Sequence, residues 1–174
     1  MPTPTFKLIE EKEVTASGGN STITFTSIPS TYNDLHLYIS CRSTTTAAFI
    51  NIRARFNGAT SDTDHKGLLR WSDGTGNNMG RYDYAYVGDF TGGTIDGTSN
   101  FSGGWLYIPD YAGSNKKIGY AGSVGLNLST SSTYIENGTV FWNSTSAINQ
   151  IELVISAGNY AQHSKFQLFG IKNS

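Results

Sequence analysis

Apolar and polar residues alternate with a period of two along most of this chain, and no long stretch keeps apolar residues at the i, i+3, i+4, i+7 spacing of a helix. The clearest run sets Leu35, Leu37, Ile39 and Cys41 against His36, Tyr38, Ser40 and Arg42. One set belongs to a core face and the other faces solvent or a neighbour, as in a half-buried strand. A second run sets Ile50, Ile52, Ala54 and Phe56 against Asn51, Arg53 and Arg55, and ends at Asn57-Gly58. That dipeptide accepts the positive φ angles of a type I′ hairpin turn, and Asn137-Gly138 predicts another. Further strands are predicted over 5–14, 21–26, 68–71, 82–87, 105–108, 117–126, 139–142, 148–156 and 165–171, about ten or eleven in all. The Gly/Asn/Ser-rich stretches 73–80 and 91–104 read as long loops, the first at a tip. A single open sheet of so many short strands would leave exposed edges. The pattern therefore predicts an all-β, antiparallel two-sheet sandwich, jelly-roll-like.

The 174 residues suit one such domain over 6–174, preceded by an extended arm over 1–5. With 13% aromatic and 14% charged residues the chain is too apolar and too weakly charged to be disordered. A net charge of −1 supplies no basic footprint for phosphates, so nucleic acid is not an expected partner. Cys41 stands alone and cannot close an intrachain disulfide, so the fold rests on its core and on partner subunits, in keeping with a reducing cytosol. No apolar run approaches the ~20 residues of a membrane span, and Met1-Pro2-Thr3-Pro4-Thr5 has neither a basic nor an apolar segment of a signal peptide. The expectation is a soluble protein with no membrane association and no export signal.

Chemistry-bearing constellations are weak. Asp62, Asp64, Gly67 and Asp73 sit at spacings reminiscent of a calcium loop, but Lys66 stands where an oxygen ligand is needed, and a polar turn is the better reading. His36, His65 and His163 are scattered and show no zinc spacing. The Gly-x-Ser-x-Gly elbow, the phosphate loop and the dinucleotide fingerprint are absent. A glycosidase would need two carboxylates roughly 5–10 Å apart across a cleft. Glu136 and Glu152, the only glutamates beyond the N-terminal segment, are the one pair on offer. No catalytic residue, cofactor site or metal site is assigned, and the chain is expected to act by binding rather than catalysis.

Two segments could carry binding. Tyr82, Tyr84 and Tyr86 alternate with Asp83 and Ala85, which places all three rings on one face of a strand, with Trp71 and Arg81 near in sequence. Such a face is either a contact surface for a partner or glycan, since tyrosine joins apolar area to a polar tip, or a core face against the second sheet. The residues Pro2, Thr3, Pro4 and Thr5 should form an extended arm, because proline fixes φ and disfavours helix in the residue before it. An arm that leads straight into a strand can dock on a neighbouring subunit.

The opening, Leu8-Ile-Glu-Glu-Lys-Glu-Val-Thr-Ala followed by Ile23-Thr-Phe-Thr-Ser-Ile-Pro-Ser-Thr-Tyr-Asn-Asp-Leu to Ser40-Cys-Arg-Ser, resembles that of small jelly-roll virion proteins of tailed bacteriophages. The close of the chain, Ile148-Asn-Gln-Ile-Glu-Leu and Ala157-Gly-Asn-Tyr-Ala-Gln-His-Ser-Lys-Phe-Gln-Leu-Phe-Gly-Ile-Lys, is similar to theirs, as are Phe56-Asn-Gly and Tyr107-Ile-Pro-Asp-Tyr. Residues between Gly58 and Gly104 match least. The resemblance implies a jelly roll, often trimeric, serving as a capsid cement or decoration protein, a head fibre or a tail-fibre module. The first expectation is thus a homotrimer assembled in the host cytoplasm that binds the outside of the capsid and ties neighbouring major capsid protein subunits together. The alternative is a tail-fibre or head-fibre module that recognises a host surface glycan through Trp71 and the tyrosine row.

Overall fold

The computed structural model describes residues 5–61, 64–72, 76–93, 100–127 and 132–172. Twelve strands run in order as β1 (Phe6–Glu13), β2 (Thr22–Phe25), β3 (Asp34–Cys41), β4 (Phe49–Phe56), β5 (His65–Ser72), β6 (Asn77–Tyr82), β7 (Ala85–Thr91), β8 (Ser102–Ile108), β9 (Lys117–Asn127), β10 (Ser132–Trp142), β11 (Ile151–Ile155) and β12 (Lys165–Ile171). Eight of them form one sheet in the order β1-β12-β3-β8-β9-β10-β5-β6, and four form the other in the order β2-β11-β4-β7. Every pairing is antiparallel, so the chain is a two-sheet, jelly-roll-like sandwich.

The alternations seen in the sequence produce the core. Leu35, Leu37, Ile39 and Cys41 of β3 point inward against Ile50, Ile52, Ala54 and Phe56 of β4, each at most 3% exposed. Phe25, Phe90 and Phe166 fill the space between them. Two tyrosines are fully buried and keep their hydroxyls satisfied, Tyr160 by donating to the Leu153 carbonyl at 3.2 Å and Tyr111 by donating to the Pro29 carbonyl.

Asn57 and Gly58 both have positive φ, 51° and 71°, and Ala59 N–H donates to the Phe56 carbonyl at 3.0 Å, as the sequence predicts for a type I′ turn. The turn does not make a hairpin, because β4 pairs with β11 and β7 whereas β5 belongs to the other sheet. Asn137-Gly138 is not a turn at all and lies in the middle of β10. Glycine is required there by close approach, since a Cβ on Gly138 would strike the Leu68 carbonyl oxygen of β5. The expected loop over 73–80 is also corrected, for Asn77–Gly80 belong to β6, which pairs with β5. Asn and Gly carry little strand propensity, and pairing overrides it.

At the sheet margin, Phe6 pairs with Ile171 and Lys172 N–H donates to the Thr5 carbonyl at 3.1 Å. Thr5 is thereby tied to the last strand, whereas Pro2, Thr3 and Pro4 of the expected arm lie outside the described residues.

Candidate functional site

The outer face of the eight-stranded sheet is apolar where a lone sandwich would be polar. Of the eleven large apolar side chains most exposed among the described residues, nine lie on this face, namely all but Phe49 and Phe101. Register puts Leu8, Phe169, His36, Tyr107 and Tyr120 in one row across β1, β12, β3, β8 and β9. Tyr38 and Trp105 are neighbours in the next row. The rings touch: Phe6 stacks on Phe169 at 4.6 Å and His36 on Tyr38 at 4.4 Å, while Tyr107 and Trp105 stand 6.0 and 6.1 Å from His36. His36, Tyr38, Trp105, Tyr107 and Tyr120 line an open cup of about 410 Å³. Beside it Gly103 and Gly104 lower the floor of a groove of about 370 Å³ between Tyr38 and Trp105 on one side and Val124 and Ile135 on the other.

Electrostatics keep the centre of this face uncharged. Burial among the rings pulls the His36 imidazole below its usual pKa, which favours the neutral form, and its Nε2 has no hydrogen-bond partner among the described residues. Tyr107 is held by the hydrogen bond from its hydroxyl to Asp34 Oδ2 at 2.8 Å. Burial, and then that carboxylate, push its phenol up to about 12.

Strand β9 explains why the face is apolar. Its large residues Ile118, Tyr120 and Val124 point outward at 53–55% exposure, while Gly119, Ala121, Ser123 and Gly125 point inward. A one-residue slip would reverse this arrangement, and the inner space forbids it. Strand β7 lies across β8 and β9 so closely that a Cβ on Gly88 would strike Ser123 of β9 and one on Gly104 of β8 would strike the Phe90 ring. Gly88 has φ of +155°, and Val87 is the extra residue where the β4–β7 register shifts. At the far end of β7, Thr91 N–H donates to Ser102 Oγ at 2.6 Å and Leu126 N–H donates to Thr91 Oγ1 at 3.2 Å. With no room inside, the bulky side chains of β9 face out.

The tyrosine row lies elsewhere. Tyr82 ends β6, Tyr84 sits in the bend between the sheets and Tyr86 opens β7, so the three do not share one strand as the alternation predicts. The rings still meet, with Tyr82 stacked on Tyr86 at 4.5 Å and Tyr84 at 5.3 and 5.8 Å from them. The Arg53 guanidinium lies 4.0 Å from the centre of the Tyr84 ring. Tyr86 is 3% exposed and the other two are half-buried, so the trio packs the crossover from one sheet to the other. Trp71 is half-buried on the Tyr82 side, both close to Gly80. Arg81 projects from the opposite face of β6, where it pairs in register with exposed Leu68, because successive strand residues point to opposite faces. The expected contact set of Trp71, Arg81, Tyr82, Tyr84 and Tyr86 is therefore divided between two faces.

Behind these rings sits an acid pair that alternation does not reveal. Glu136 of β10, 3% exposed, accepts the Asp89 N–H and the Ser123 hydroxyl, the latter at 3.2 Å, and its carboxyl is hydrogen-bonded to that of Asp89. Asp89 also accepts the Tyr86 hydroxyl. Burial and then the Asp89 charge push Glu136 up to about 8, and burial raises Asp89 as well. The pair holds a proton near neutral pH.

Glu152, the other carboxylate of the expected pair, is on β11 in the four-stranded sheet, where it accepts the Gln150 side-chain amide at 2.9 Å. Its strand neighbours Ile151 and Leu153 fill the core, so Glu152 points away from the interior that holds Glu136. The polar turn expected over the calcium-like stretch is corrected from His65 onward, since His65–Ser72 is strand β5, and Asp62 and Asp73 lie outside the described residues. His65 is buried beside Phe56 and Trp142, and Lys66 pairs with Asp83 at 2.7 Å. Among the described residues no group of three or more His, Cys, Asp or Glu side chains is arranged to hold a metal ion. Among the described residues there is no helix long and apolar enough to cross a membrane.

The outer face could have been read from strands apolar at both parities. In β12, Phe166 and Leu168 alternate with Phe169 and Ile171, and in β3 the leucines alternate with His36 and Tyr38.

No family model matches the chain, and none of the curated proteins matches it in sequence. Among solved structures, a galectin from Caenorhabditis elegans is similar over 90% of this chain and 94% of its own, at 11% identity and a TM-score of 0.37. No ligand or activity follows from that likeness.

Proposed function

We propose that this chain is a structural assembly protein that acts by binding, and that its working surface is the outer face of the eight-stranded sheet. The observation that carries the reading is the placement of Ile118, Tyr120, Val124, Ile135, Leu68, Tyr38, Phe6, Leu8 and Met79 on that one face. Seven inter-strand gaps of about 4.8 Å and strands of about seven residues make the whole face, charged flanks included, roughly 800 Å² in area, and the exposed apolar side chains fill its centre and reach both margins. An apolar centre of this extent is what a protein contact buries.

Joined to the sequence resemblance, this supports a virion role: a homotrimeric cement or decoration protein on the outside of a phage capsid, bound to the major capsid protein. Many weak, symmetric contacts gain avidity without new chemistry, which suits a fold without a disulfide. Copy number and position in intact particles, from electron microscopy with quantitative gels, test the reading. Hundreds of copies on the capsid shell are expected; a handful at the tail would overturn it.

The aromatic cup around Trp105 favours one second reading, stacking on a host surface glycan. Binding on a glycan array that is lost in Trp105→Ala would support that reading against the first.

A further inference from the structure

The outer face carries opposite charge at its two ends. On the β1–β12 flank, Glu11 and Glu13 share the face with Lys165 and Gln167, and the two glutamates outnumber the one lysine. Gln167 donates to Glu11 at 2.6 Å, and Glu13 meets Lys165 at 3.1 Å and His163 at 3.4 Å, which leaves a single negative charge in excess on the outward side of this flank, Lys7, Glu10 and Lys12 of β1 standing on the other parity. On the β5–β6 flank, Lys66, Arg70 and Arg81 share the face with Leu68 and Met79. Only Lys66 has an ion-pair partner among the described residues, Asp83, so this flank is net positive. Between them, on β3, β8, β9 and β10, the outward residues are aromatic, aliphatic, glycine, serine, threonine or asparagine, apart from neutral His36 and from Asp34, which the Tyr107 hydroxyl and the Asp110 N–H hold at the strand end.

We infer that the occupant of this face is a second copy of the same chain, the acidic β1–β12 flank of each copy lying against the basic β5–β6 flank of the next. Two features of the face select this partner. Its roughly 800 Å² is shared between the two neighbours of a closed ring, so that the whole face is covered. Its ends complement each other, so copies following one another around an axis parallel to the strands bring unlike flanks together, whereas an axis across the strands would set Glu11 and Glu13 against their own equivalents. The aromatic centre is then sealed from water, and the unpartnered His36 Nε2 lies in the buried zone. In the proposed trimer three copies close the ring, and the capsid contact falls to other surfaces. This inference rests on the assembly reading above and specifies its self-contact.

Sedimentation of the purified full chain, without capsids, tests it. The wild type should sediment as a closed oligomer. Glu11→Lys with Glu13→Lys, or Arg70→Glu with Arg81→Glu, should each weaken association by roughly ten-fold or more, since both put like charges together. All four substitutions in one chain should restore it, because both flanks are inverted and again complement each other. These positions are exposed, and circular dichroism checks that every variant is folded. A monomeric wild type, or a four-fold variant that associates no better than the two-fold ones, would overturn the proposal. Failure to bind capsids in a separate assay bears on the virion role alone and leaves the self-contact standing.

Discussion

Glu136 and Asp89 come from strands in different sheets and meet carboxyl to carboxyl, with the Asp89 N–H donating to Glu136 Oε2. The proton that reconciles them ties folding to pH. The Glu136 carboxyl titrates near 4.5 when unfolded and near 8 when folded. Between those values the unfolded chain releases a proton that the folded chain keeps, so stability falls as pH rises from about 5 to about 8 and is flat above. The loss should be a few kcal/mol in urea unfolding at pH 5.5 against pH 8.5. Glu136→Gln, which still accepts the Asp89 N–H, should abolish most of it. An unchanged pH dependence in that variant would show that the pair does not hold the proton.

Gly88 must remain glycine. Its φ of +155° and the position of Ser123 leave no place for a Cβ. Gly88→Ala should cost about 2–4 kcal/mol. Adding Ser123→Gly should recover part of the loss, by removing the clash but not the backbone strain. Thermal unfolding of the two variants measures both effects.

The side chain of Asn57 does as much as its backbone. Its Oδ1 accepts the N–H groups of Asn149 and Gln150 at 2.9 and 3.1 Å, and its Nδ2 donates to the Ala147 carbonyl at 2.8 Å. Asn57→Ala loses three hydrogen bonds and places alanine at a positive φ, so destabilisation of about 2–4 kcal/mol is expected in chemical denaturation. Asn57→Gly should be milder than alanine if strain contributes, and equal to it if the bonds alone matter.

Cys41 is fully buried, and burial raises its thiol well above the usual value. A thiol-specific reagent should leave it unlabelled in the native protein and label it fully in denaturant. Rapid native labelling would mean that the β3–β12 region opens readily.

Threonine at Ile118, Tyr120 or Val124 keeps strand propensity while removing bulk from the outer face. In dilute solution each change should shift stability by less than about 1 kcal/mol. At high protein concentration the wild type should gain melting temperature and a combined variant should not, because only association rewards the buried area.

How far the sequence led depends on the strand. The alternations in β3 and β4 placed eight core residues correctly, since each strand is apolar on one parity and packed on that side alone. β9 shows the limit of that reasoning. Bulk alone points Ile118, Tyr120 and Val124 inward, and only the closeness of β7, which follows from Gly88, Gly104 and Ser123, turns them out. Tyr82, Tyr84 and Tyr86 were legible as a group that stays together, but the break at Asp83 that sends the chain from one sheet to the other carries no proline or glycine to mark it. The meeting of Glu136 with Asp89 joins residues 47 apart and was outside the reach of any local pattern.

Thr5 and Lys172 are hydrogen-bonded, and from there β1 and β12 run antiparallel along the sheet margin. Force applied between these two points therefore loads the ladder one rung at a time, from Phe6 and Ile171 onward, in the manner of a zip. A sandwich pulled this way peels at low force, whereas the same ladder drawn along its length in opposite directions would have to break all its rungs at once. Mechanical load on the protein is best borne through its broad face, with the two ends left slack.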